Sequence, residues 1–173
     1  MAWEPRVTPP TTDNLYYIVT SYGGYNECIE IANGSAIPNC VGYAWGRIYE
    51  GNGTRPNLSR GDANGWYSYP DGYARGTEPR TGAVICYSGV DGHVAVVEHV
   101  YDNGDIFISS SSYGGYRFNT FYLHKSDNYY LEAGLTFQGF IYCTEYEPII
   151  DVTRKRKFPW VLYSRKLRNN HNL

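Results

Sequence analysis

The fold turns on one stretch: Gly82-Ala83-Val84-Ile85-Cys86-Tyr87, then Asp91-Gly92-His93-Val94-Ala95-Val96-Val97-Glu98-His99-Val100-Tyr101, then Asp102-Asn103-Gly104-Asp105-Ile106-Phe107-Ile108-Ser109-Ser110. Its runs are β-branched and aromatic, and each is too short for a helix of ordinary length. Asn103-Gly104 between two such runs is a strong hairpin signal, because both residues tolerate positive φ. The same texture continues over 116–124 and 137–144, with Tyr113-Gly114-Gly115 and Ser126-Asp127-Asn128 as punctuation. These residues predict an antiparallel meander of strands over 83–87, 93–101, 105–110, 116–124 and 137–144.

Toward the N-terminus the texture changes. Residues 70–82 are turn-rich, and 64–68 can form a short helix after Asp62. Asn39 is a helix N-cap candidate for a helix over 41–49, which Gly51-Asn52-Gly53 ends. Gly42 and Gly46 are poor helix formers lying four apart on one face, which suits a helix packed closely on another backbone. Residues 21–37 read as irregular, 15–20 as a short strand or the lead into a helix, and 1–15 as a Pro/Thr-rich extended arm. Helices followed by a meander give an α+β class, N-terminal helices packed on an antiparallel sheet.

At 173 residues and 42% hydrophobic, one domain with its own core is expected. No apolar run is long enough to cross a bilayer. The first residues show no basic-then-apolar signal, so delivery by another route is expected if the target is extracellular. The net charge of −2 hides an asymmetry: residues 1–153 carry eight Lys/Arg against all 17 Asp/Glu, and residues 154–173 carry seven Lys/Arg and no acid. Such a tail can be a solvated terminus, or can seek an anionic wall polymer or an acidic protein; the acidic body argues against nucleic acid. The expected division is an N-terminal arm over 1–24, a catalytic domain over 25–148 and a basic tail over 149–173.

The four cysteines are Cys28, Cys40, Cys86 and Cys143. They form no C-x-x-C pair, and neither an H-E-x-x-H nor a dense Asp cluster near Cys40 is present, so no metal and no cofactor is expected. A Cys28–Cys143 disulfide is possible on number alone. Cys86, inside an apolar strand, reads as a buried small hydrophobe. Cys40 follows the N-cap, where the helix dipole and unpaired N–H groups favour thiolate. Its base must come from elsewhere. His93 opens an apolar strand; His99 lies about 20 Å further along it; His124 is a reserve and His171 lies in the tail. Ser110 or Ser112 could accept from the ring of His93. Glu98, at odd spacing from His93, falls on the opposite face and reads as structural or as part of the cleft.

The motif Asn39-Cys40-Val41-Gly42-Tyr43-Ala44-Trp45-Gly46-Arg47 resembles the nucleophile motif of CHAP domains, the cysteine, histidine-dependent amidohydrolases/peptidases. Gly61-Asp62-Ala63-Asn64-Gly65-Trp66-Tyr67, then Gly82-Ala83-Val84-Ile85, then Gly92-His93-Val94-Ala95-Val96-Val97-Glu98, resemble the family's later segments in the right order. The run from Asp105 to Gly115 resembles the family's next strand and turn, and the resemblance covers about residues 25–145. It implies a papain-like fold and cleavage of an amide bond in bacterial peptidoglycan. The bond would be the N-acetylmuramoyl-L-alanine linkage or one in the stem peptide or cross-bridge. It implies Cys40 as nucleophile and His93 as general base. It also implies a setting among phage lysins, virion-associated proteins released or delivered with the phage, or bacterial wall hydrolases. Asn39, Trp45, Trp66 and Tyr113 are candidate substrate contacts, and the basic tail could meet other phage proteins. One departure is plain: Ser110 and Ser112 stand where many members carry Glu and Asn. A serine can accept a hydrogen bond but brings no charge to an imidazolium. A weakly active or inactive module with a structural or wall-targeting role in a phage tail is therefore the alternative.

Overall fold

The computed structural model describes residues 3–10, 16, 18–22, 25–31, 35–36, 39–112 and 118–144. Three strands come first: β1 (Ile18–Tyr22), β2 (Tyr25–Ile31) and β3 (Ser35–Ala36), paired antiparallel in that order. The helix α1 (Cys40–Asn52) is next along the chain. The main sheet holds β4 (Ala74–Gly76), β5 (Val84–Ser88), β6 (His93–Val100), β7 (Ile106–Ser110), β8 (Asn119–Leu123) and β9 (Thr136–Tyr142). Its order is β4-β9-β5-β6-β7-β8, and every neighbouring pair is antiparallel.

Strand alternation splits the core into two layers. Val84 and Cys86 of β5, Val94 and Val96 of β6 and Ile141 of β9 pack with Val41, Tyr43, Ala44 and Ile48 of α1. Ile85, Tyr87, Ala95, Val97, Ile108 and Phe140 face the other way, under Tyr129, Leu131 and Leu135. With both faces covered, β5 and β6 read as near-continuous apolar runs. Between β6 and β7, Tyr101 N donates to Asp105 O at 2.8 Å, and of the Asn103-Gly104 pair only Gly104 takes positive φ (+83°), so the expected hairpin forms with a three-residue loop over 102–104, with Gly104 in the left-handed position.

The sequence expectation is met in class and in the meander, and it needs three corrections. Residues 25–31 and 35–36 are strand, not irregular; β2 includes the β-branched Ile29 and Ile31 and pairs on both sides. Residues 74–76 form β4, which has no pattern of its own and exists because β9 offers it a free edge. Residues 64–68 hold only a 3₁₀ turn, Ala63–Gly65, so α1 is the one α-helix among the described residues. Cys86 is fully buried, as expected. Cys143 is a free thiol, so it forms no disulfide with Cys28. No helix among the described residues is long and apolar enough to cross a membrane. The basic tail, His171 and Tyr113 lie outside the described residues.

Candidate active site

The site begins at the start of α1. The side-chain oxygen of Asn39, in extended backbone, accepts from Gly42 N at 2.7 Å. That bond satisfies one of the orphan donors of the first turn and fixes where the helix starts. Asn39 therefore has a capping role through its oxygen, and the residue itself stays half-buried at the helix start. Gly53 closes the other end with φ +69°, its N–H on Tyr49 O.

Cys40 is the first helical residue and is only partly exposed. Burial pushes its thiol above the ordinary value; the main-chain N–H groups of Val94, Val41 and Cys40 itself pull the other way without offsetting it. The expectation of a thiolate favoured by the helix start is therefore reversed, because desolvation outweighs the helix terminus. The contact with Val94 N sets the sulfur at the N-terminal end of β6, one residue from His93.

His93 is held by the turn that precedes it. Gly92 adopts φ +67°, and a Cβ there would come within 2.7 Å of Asn64 N. Asn64 grips the same turn: its amide donates to Gly89 O at 2.9 Å and to Val90 O at 3.2 Å, and its oxygen accepts from Gly89 N at 3.1 Å. Burial brings His93 down to about 4, so the ring is neutral at physiological pH and able to accept a proton. Its Nε2 is buried with no hydrogen-bond partner, and the same is true of Ser110 Oγ.

The two serines differ. The β6–β7 ladder pairs Val97 with Ile108 and Val96 with Ser109. Continued in that register, it would set Ser110 beside Ala95 and Ser112 beside His93. Ser112 Oγ accepts from Asn119 Nδ2 at 3.1 Å, and Asn119 opens β8 opposite Ser110. Ser110 makes no bond to His93, which corrects that expected contact. Asn119 is the residue that sequence reasoning misses; only the pairing of β7 with β8 brings it here.

Other candidates fall elsewhere. Trp66 is fully buried with Nε1 on Gly61 O at 3.1 Å, so it is a core residue and cannot meet a ligand. Trp45 is 5% exposed and packs edge-on against Tyr49, so it too is a core residue and not the expected substrate contact, although its Nε1 is buried without a partner. His124 Nδ1 lies 3.0 Å from Asp105 Oδ2. Burial pushes the Asp105 carboxyl up, but hydrogen bonds from Lys125 N, Tyr122, Asn103 and His124 bring it down to about 2. His99 stacks edge-on with Tyr101 at 4.7 Å. Among the described residues, no group of three or more His, Cys, Asp or Glu is placed to hold a metal ion.

Residues 30–112 match the family model of the CHAP domain. Over that stretch the chain is similar to CHAP domains. The Staphylococcal secretory antigen SsaA of Staphylococcus aureus (strain NCTC 8325 / PS 47) is 29% identical over 114 residues, 60% of this chain and 43% of the relative. The secretory antigen ssaA1 of S. aureus strain COL matches to the same extent. A crystal structure of an N-acetylmuramoyl-L-alanine amidase from S. aureus superposes with a TM-score of 0.51 at 22% identity, covering 72% of this chain and 38% of that one. That likeness shows the fold, the α+β papain-like architecture expected from the sequence. The chain spans less than half the length of the curated relatives it matches.

Proposed function

We propose that the chain is a peptidoglycan hydrolase that cleaves an amide bond through Cys40 and His93. The observation that carries the proposal is the meeting of α1 and β6. It sets a nucleophile at a capped helix start, one residue from a half-buried histidine kept neutral, within a stretch similar to CHAP domains. The amidase in the structural comparison and the secretory antigens favour a wall substrate and an extracellular site of action, whether reached by secretion or by phage delivery. The linkage would be N-acetylmuramoyl-L-alanine or one in the stem or cross-bridge.

The resting pair is thiol and neutral imidazole. Attack on the amide carbonyl then requires His93 to take the thiol proton as the S–C bond forms. Main-chain N–H groups at the start of α1 stabilise the oxyanion. His93 gives its proton to the leaving amine, then draws one from the water that releases the acyl group. The catalytic unit proposed over 25–148 also takes in residues 3–10, because Trp3 and Arg6 bond to Glu98 of β6. The basic tail over 149–173 is left for wall polymers or partner proteins.

A second reading has its own support. Neither Ser110 nor Ser112 brings charge to His93, and burial opposes the thiolate, so a weakly active or inactive wall-targeting module is the rival. Mass spectrometry of digested peptidoglycan decides between them. The hydrolase should create new amino termini at one kind of linkage; a digest with no new termini at any enzyme concentration would remove the hydrolase reading.

A further inference from the structure

Five residues beyond His93 on β6, and seven beyond Cys40 on α1, lies the most completely bonded buried group among the described residues. Glu98 is fully buried. Its Oε1 accepts from Arg47 Nε at 2.9 Å and from Ser109 Oγ at 2.5 Å. Its Oε2 accepts from Arg47 Nη2 at 2.8 Å, Trp3 Nε1 at 2.9 Å and Arg6 N at 3.0 Å. Arg47 also donates to Glu50 at 2.9 Å and to Glu4 O at 2.6 Å, and its guanidinium lies 4.1 Å from the centre of the Trp3 ring. Tyr43 of α1 donates to Ser109 of β7 at 2.7 Å.

We propose that Glu98, with Arg47 and the N-terminal segment 3–6, is a positioning element that holds the Cys40 helix in register with the His93 strand. The proposal rests on the reading of Cys40 and His93 as the reacting pair. The Cys40–Val94 contact sets one end of the helix, and the packing of Val41, Ala44 and Ile48 seats it on the sheet without directional bonds. The Arg47–Glu98 pair adds a second point two turns along α1 and so fixes the helix direction on the sheet. Stability alone does not call for such a group, since a buried ion pair is often no better than apolar residues of the same size. What a bidentate, fully bonded pair adds is a single geometry. Trp3 and Arg6 supply two of the five donors, so the segment before β1 completes the site from 92 to 95 residues away in sequence.

The test uses the full chain and purified peptidoglycan. Trp3→Phe removes one donor and keeps the ring over Arg47; Glu98→Gln removes the charge. Both are measured alone and in a His93→Ala background, with folding followed in parallel by circular dichroism and Cys40→Ala as the control. Positioning predicts that W3F, still folded, loses about 10-fold in kcat with KM unchanged, and E98Q about 100-fold. It also predicts that either change adds nothing once His93 is gone, because alignment to an absent base has no value. Losses that multiply in the His93→Ala background, or a lower Tm with kcat unchanged, overturn the proposal. Wild-type digestion by Cys40→Ala would instead end the reading of the reacting pair, and the proposal with it.

Discussion

The two ends of β6 are opposites. At its C-terminal part, Glu98 is fully buried and accepts from five donors across α1, β7 and the N-terminal segment. At its start, His93 Nε2 is buried with no hydrogen-bond partner, and so is Ser110 Oγ at the end of β7. Buried polar groups are almost always paired, and these two, with Trp45 Nε1 and Gln138 Oε1, are the unpaired side-chain exceptions among the described residues. On the proposed reading, one strand carries its frame at one end and its chemistry at the other, with five residues from one to the other.

Breaking the framed end should cost the most stability. Glu98→Ala leaves the Arg47 guanidinium buried without its main partner and should destabilise by about 3–5 kcal/mol in urea unfolding. A loss below about 1 kcal/mol would show that the network is not a frame.

The reactive end should reveal itself through pH. The native His93 takes its proton near 4, the unfolded one near the ordinary 6.5. Protons therefore bind the unfolded chain first as pH falls, and stability contributed by His93 is complete above 6.5 and lost progressively down to 4. The loss is about 3 kcal/mol. Comparing the stability of wild type and His93→Gln across that window checks it, since the variant should lack this share of the decline.

The smallest effect belongs to Ser110. Its hydroxyl makes no hydrogen bond, so Ser110→Ala should change stability by less than about 1 kcal/mol, as no bond is broken and no partner is stranded. Turnover should stay within about 10-fold of wild type. A loss as large as that of His93→Ala would make Ser110 a working third member of the site and would contradict the contrast between the two ends of β6.

How much of this is legible in the chain depends on the range of each interaction. The helix start is legible because Asn39 caps a bond three residues away. The β6–β7 hairpin is legible because Asn103-Gly104 decides it locally. What escapes is non-local. β4 is strand only because β9 lies beside it. The Trp66 motif points to the substrate, but its ring turns into the core against α1. The five donors on Glu98 come from four residues in three parts of the chain. Alternation alone says only that Glu98 and His93 fall on different faces. The ionisation of Cys40 escapes for the same reason: the helix start is written in sequence, whereas burial by the rest of the fold is not.

The central claim is that Cys40 and His93 carry the reaction. It is tested most directly by clearing of a purified peptidoglycan suspension by wild type, Cys40→Ala and His93→Ala, each shown to be folded. The account predicts clearing by wild type, none detectable with Cys40→Ala, and a loss of about 10²–10⁴-fold with His93→Ala. Clearing by Cys40→Ala at the wild-type rate would contradict it.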